Sequence, residues 1–113
     1  MKVQSWREVA EETITGAEME GVHIRIVAGP REGAKNFVMR VFEIEPEGHT
    51  PRHTHDWEHE VFILSGKAIL RGADGDRPLK PGDAVFIPGG EEHQFHNPGK
   101  QPFQFICVIP AGK

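Results

Sequence analysis

Glycine and proline interrupt this chain so often that long helices have no room to form. Thirteen Gly and nine Pro are spread over 113 residues. They gather at Gly29-Pro30, Pro46-Glu47-Gly48, Ser65-Gly66, Gly72-Ala73-Asp74-Gly75-Asp76, Pro81-Gly82-Asp83, Pro88-Gly89-Gly90 and Asn97-Pro98-Gly99. Each group has a backbone reason to turn, because Gly and Asn accept positive φ and Pro presets φ. Short apolar runs between such groups are the rhythm of an all-β protein. They predict strands over residues 23–28, 37–45, 59–64, 67–71, 84–87, 93–96 and 102–109. The exception is Ser5-Trp6-Arg7-Glu8, a Ser-x-x-Glu capping box that predicts one or two helical turns to about residue 12.

Residues 37–44 carry apolar side chains at both parities (Phe37, Val38, Met39, Val41, Phe42, Ile44), so both faces of that strand need covering. One face can fill a barrel while the other meets a second sheet or subunit. The length fits one domain. Thirteen Lys and Arg against seventeen Asp and Glu give a net charge of -4 with no basic block, which argues against nucleic acid or an anionic membrane as partner. No run approaches the roughly 18 apolar residues of a membrane span, and a cytoplasmic protein is the expectation. Cys107 has no partner for an internal disulfide.

The histidines carry the chemistry. His53, His55 and His59 are spaced by two and four residues, which puts all three on one side of an extended chain. His93 stands in a second Gly- and Pro-framed segment. Neutral imidazole is the commonest protein metal ligand, so these four are the candidate metal ligands. His23, His49 and His96 fall outside the pattern and read as ordinary polar residues.

Two segments resemble the signature motifs of the cupins, small antiparallel jelly-roll barrels. The second family motif, G-x5-P-x-G-x2-H-x3-N, is complete in Gly82, Pro88, Gly90, His93 and Asn97. The first, G-x5-H-x-H-x3,4-E-x6-G, departs in two places. Gly48 lies one residue after the expected glycine slot, which Glu47 occupies, and the neighbouring glycine is expected to make the turn instead. His59 stands at the acidic ligand's place, while Glu60 is one residue out of register and points to the other face. The resemblance is narrowest to small bacterial cupins with a four-histidine, manganese-type site. It implies an all-β cupin domain over residues 1–113, with its barrel core at about 21–110 and residues 1–20 packing on the barrel or a partner. It further implies one divalent ion per chain, with Mn(II) or Fe(II) favoured, and a homodimer. Zn, Ni, Cu and Co suit imidazole as well.

Around the ligands, Trp57, Phe95, Phe105 and Cys107 are candidates for the wall of a substrate pocket. Arg40, in an otherwise apolar strand, is expected to pair with a glutamate such as Glu43 or Glu60, or else to reach a bound anion. Four neutral donors leave the charge of a divalent ion uncompensated, and a six-coordinate ion keeps two positions free. That combination suits a metal-dependent oxidoreductase, a dioxygenase or peroxide-using enzyme, acting on a small organic molecule. A metal-dependent isomerase or lyase of a sugar-like or dicarbonyl compound is the first alternative. A non-catalytic small-molecule binding or sensor module is the second. If Cys107 faces the ion, its thiol is expected to be oxidised first when substrate is absent.

Overall fold

The computed structural model describes residues 1–16 and 18–113. Among the described residues it has nine strands: β1 (Glu12–Gly16), β2 (Met19–Ala28), β3 (Phe37–His49), β4 (His59–Ser65), β5 (Ala68–Gly72), β6 (Gly75–Leu79), β7 (Ala84–Ile87), β8 (His93–His96) and β9 (Phe103–Pro110). Every pairing is antiparallel, in the order β6-β5-β8-β3-β9-β4-β7, with β1 and β2 added on β3's other side. The sheet curls into a half-barrel, and the all-β expectation holds. No helix among the described residues is long and apolar enough to cross a membrane.

All seven expected strands are present, and two more join them. β6 escapes a reading by composition because its Gly-Asp-Arg-Pro-Leu sequence is polar and buries only Leu79. It forms because the two-residue turn at Ala73-Asp74 sends the chain back along β5, with Gly72 opposite Gly75 and Pro78 lying on an outer strand where its missing N–H costs nothing. β1 occupies the end of the expected N-terminal helix. That helix is reduced to one 3-10 turn at Trp6–Glu8, and the Ser5 side chain makes no cap bond. The reason is tertiary: Gln4 Nε2 donates to Val27 O (3.0 Å), Arg25 Nη1 donates to Trp6 O (3.3 Å), and the Arg25 guanidinium sits 5.2 Å from the Trp6 ring. These contacts lay the segment flat along β2.

The largest departure is in β3, which runs through Pro46-Glu47-Gly48 instead of turning there. The register with β2 jumps from Val22↔Ile44 to Glu20↔His49, so the extra residues form a bulge. Glu47 itself takes the left-handed backbone (φ 69°), in the slot where the resemblance expected glycine. Gly48 serves differently: a Cβ there would lie 2.5 Å from Glu20 O. Beyond the bulge β3 leaves β9 and meets β8, with His49 opposite His96.

Strand alternation sets the two faces. Inward, Val38, Phe42, Ile44, Val61, Ile63, Phe103, Phe105, Cys107 and Ile109 form the core, with Phe105 stacked between Phe42 (4.9 Å) and Phe95 (4.7 Å). Outward, Phe37, Met39, Phe62 and Phe86 are exposed.

Candidate metal centre

The chain reaches the barrel mouth by extending β3 along β8. Thr50 N donates to Phe95 O (2.9 Å), Phe95 N donates to Thr50 Oγ1 (2.9 Å), and His53 and His93 exchange backbone bonds of 3.2 and 3.1 Å. His55 is held next, its carbonyl accepting from Gly90 N at 2.7 Å. That approach requires glycine at 89, where a Cβ would stand 2.6 Å from Asp56 O. His59 then opens β4, opposite Ile87 of β7.

Three imidazoles share one device. Nδ1 of His53, His55 and His93 lies 2.9 Å from the carbonyls of Pro51, Trp57 and Glu91 respectively. A carbonyl only accepts, so each Nδ1 carries the proton and each Nε2 presents a lone pair. One ring nitrogen from each of the three lies within 4.8 Å of the others, close enough to hold a metal ion. His93 Nε2 is buried without a hydrogen-bond partner, the orphan that a cation would satisfy.

His59 is arranged differently. Its Nε2 lies 2.6 Å from His55 Nε2, its Nδ1 lies 3.2 Å from Cys107 Sγ, and its ring stacks on His55. Since His55 Nε2 has only a lone pair, His59 Nε2–H donates to it and the Cys107 S–H donates to His59 Nδ1. The structure therefore gathers His53, His55 and His93 around one point and leaves His59 hydrogen-bonded beside them.

Burial favours the neutral form of His55, His59 and His93. It is the main cause of the depressed pKa of His59, which is lowered to about 3 with help from His55, His93, Arg40 and His53. His55 and His93 are lowered for the same first reason. Burial pushes the Cys107 thiol up, so the expectation of ready oxidation does not suit this environment: the thiolate, the reactive form, is scarce.

A pocket of about 200 Å³ opens from the imidazoles. Arg40, Trp57, Phe95, Phe105 and Cys107 all line it, and Trp57 stacks on the His55 ring at 4.2 Å. The expected pairing of Arg40 with a glutamate is not found among the described residues. Glu43 lies at the opposite strand parity and accepts from Gln104 Nε2 (2.7 Å), and Glu60 is exposed opposite Val108. His23, His49 and His96 do not line the pocket. Sequence reading missed Phe42 and Thr50, although Phe42 shares the parity of Arg40, and missed Lys113, whose Nζ lies 5.6 Å from the Trp57 ring and which carries no sequence signal. Among the described residues no Asp or Glu lines the pocket.

Comparison with known proteins places this geometry in context. A family model described as Cupin domain matches residues 40–109. Among solved structures, the polyketide cyclase RemF from Streptomyces resistomycificus superposes with a TM-score of 0.92 at 35% identity, covering 97% of this chain and 79% of that one. The 1-methylthio-D-xylulose 5-phosphate methylsulfurylase of Rhodospirillum rubrum is 34% identical over 73 residues, 65% of this chain and 47% of its own length. The chain thus spans about half the length of that relative. An oxalate-binding protein of Thermotoga maritima is 29% identical over 93 residues, 81% of this chain and 75% of its own.

Proposed function

The chain belongs to the Cupin domain family, and we propose that it is a metal-dependent enzyme acting on a planar, polyketide-like dicarbonyl compound. One divalent ion is held by His53, His55 and His93, with His59 as fourth ligand. The observation that carries this reading is the joining of an imidazole cluster to an aromatic pocket that no carboxylate lines among the described residues.

That wall selects among substrates. Phe42, Phe95 and Trp57, with Phe105 packed between the two phenylalanines, make the wall aromatic and largely apolar, which suits a planar molecule and excludes water from it. A sugar phosphate would need hydroxyl partners in number, and beyond the histidines the wall offers only Arg40, Thr50, Cys107 and Lys113 amid apolar side chains. Removing a proton from a sugar also calls for a positioned base. A methylene between two carbonyls is acidic by itself, so a pocket lacking a carboxylate can still support its enolate. The similarity to a protein named polyketide cyclase supports the same class.

When bound, a divalent ion supplies positive charge that neutral imidazoles do not cancel, stabilising negative charge on substrate oxygens. His53, His55 and His93 present their lone pairs as they stand. His59 joins them only by moving its proton from Nε2 to Nδ1, where Cys107 sulfur is the nearby acceptor. Manganese or iron is the proposed ion, on the strength of the four-histidine resemblance.

An oxidative reaction on the same class of molecule is the second reading, favoured by the all-imidazole donor set. The test loads the protein separately with manganese, iron and zinc, and follows cyclisation of poly-β-ketone substrates together with oxidant consumption. Turnover with zinc and no oxidant uptake supports the first reading. Turnover confined to redox-active ions, with oxidant uptake, replaces it by the second. Binding without turnover under any ion leaves a sensor module.

A second copy of the chain is proposed to cover the outer face, where Phe37, Met39, Phe62 and Phe86 stand exposed. Sedimentation at the mass of one chain at high micromolar concentration would contradict the dimer.

A further inference from the structure

Arg40 is half-buried, and no opposite charge pairs with it among the described residues. Its side chain points into the pocket, in line with Cys107 across the β3–β9 pairing. Nη2 donates to Cys107 Sγ at 3.2 Å, and the guanidinium lies 4.8 Å from the Phe42 ring. Nε is buried without a partner, and no carboxylate forms a salt bridge with it among the described residues. Sulfur is a weak acceptor, and a ring face replaces little of the hydration that a cation loses. A guanidinium has five N–H donors in a fork matched to carboxylate geometry.

We infer that Arg40 receives an oxyanion of the substrate, a carboxylate separate from the dicarbonyl oxygens at the histidines. The separation follows from the contacts: the guanidinium reaches Cys107 Sγ, the sulfur reaches His59 Nδ1, and His59 Nε2 reaches His55 Nε2, so Arg40 joins the Nε2 cluster only through Cys107 and His59. The ligand class is then a poly-β-keto acid, with its diketone at the imidazoles and its acid at Arg40. This rests on the dicarbonyl reading above and adds the acid to it.

Two probes separate the groups: acetylacetone, a diketone without an acid, and the anion of triacetic acid, which is the same diketone carrying a carboxylate. Binding of each to the metal-loaded protein is measured by calorimetry for the parent, Arg40→Met and Arg40→Lys. Arg40→Met should weaken triacetate about tenfold or more, as loss of a charge-assisted pair does, and change acetylacetone by less than about twofold. Arg40→Lys should fall between, keeping the charge but not the fork. The metal-free Arg40→Met protein should melt at the same or a higher temperature than the parent, because an unpaired cation leaves the interior. A merely structural arginine would give a lower melting temperature. Triacetate binding that ignores residue 40, or a loss shared equally by both probes, would overturn this inference alone. Failure of the parent to bind either probe would overturn the dicarbonyl reading and this inference with it.

Discussion

His53 and His93 face each other across an antiparallel bridge closed by two backbone hydrogen bonds of 3.2 and 3.1 Å. Both rings also donate Nδ1–H to carbonyls of their own segments, so their lone pairs are aimed before any ion arrives. Because His93 Nε2 is an orphan, His93→Ala should cost the metal-free protein little while sharply lowering metal occupancy. Metal in about thousandfold excess over its Kd should stabilise the parent by about 4 kcal/mol and the variant far less. His59→Glu should keep most of the metal. Elemental analysis and thermal melts with and without ion check this, and full occupancy in a His55→Ala, His93→Ala double variant would remove the site.

The neutral histidines make the metal-free protein acid-sensitive. His59 is held at about 3 from its ordinary 6.5. Between those values the unfolded chain binds a proton that the folded chain refuses, so stability rises with pH in that window. The contribution is complete above about pH 6.5 and is lost as pH falls toward about 3, at up to about 1.4 kcal/mol per pH unit from His59. His55 and His93 shift in the same direction. Urea midpoints of chelator-treated protein should fall steadily below about pH 6.5, and less steeply in His59→Gln. A flat profile would show that the rings are not buried as neutral groups.

What could be read from sequence was what depends on parity and turn chemistry. Alternation put His59 on the inward face of β4, and Phe105 and Cys107 on that of β9. The motif spacing marked His93 and Asn97. What could not be read were consequences of the fold closing on itself. β1 forms because β2 offers an edge, β6 because its turn returns it to β5, and neither is announced by apolar pattern. The tautomer of His59 is set by the lone pair of His55 Nε2, and its other nitrogen meets Cys107, brought beside it by the pairing of β4 with β9. Arg40's lack of a carboxylate follows from parity: Glu43 is an odd number of residues away on the same strand and cannot share its face.

Asn97 ends the second motif for a reason visible in its bonds. Its Nδ2 donates to Ile44 O (2.9 Å) and Gln101 O (2.8 Å), its Oδ1 accepts from Gly99 N (3.1 Å), and the residue is fully buried. It ties the end of β8 to the last regular residue of β3 before the bulge. Asn97→Ala should cost about 2–4 kcal/mol, since three backbone groups lose a partner and the buried Ile44 carbonyl cannot regain water. Asn97→Asp keeps the shape but brings an anion against two carbonyl oxygens, and should be at least as damaging at neutral pH. Urea unfolding measures both, and a change below about 1 kcal/mol for Asn97→Ala would mean that water replaces the side chain.

Glu47 shows where this chain departs from its family at a cost. Its φ of 69° puts a side chain in a backbone region that disfavours any residue with a Cβ. The bulge holds it there by main-chain bonds, Glu47 N to Asn97 O at 2.8 Å and Asn97 N to Gly48 O at 2.9 Å. The Glu47 side chain is exposed, and no hydrogen bond or salt bridge of it is found among the described residues. Glu47→Gly should therefore relieve the left-handed strain while removing no hydrogen bond or salt bridge. Part of that gain is offset by the greater freedom of glycine in the unfolded chain, which leaves a net stabilisation of about 0.5–1 kcal/mol. Gly48→Ala, one residue on, should do the reverse, because a Cβ there collides with Glu20 O and the bulge must open. Denaturant midpoints of the two variants should move in opposite directions at an unchanged m-value. Destabilisation by Glu47→Gly would show that the Glu47 side chain contributes an interaction larger than its backbone strain.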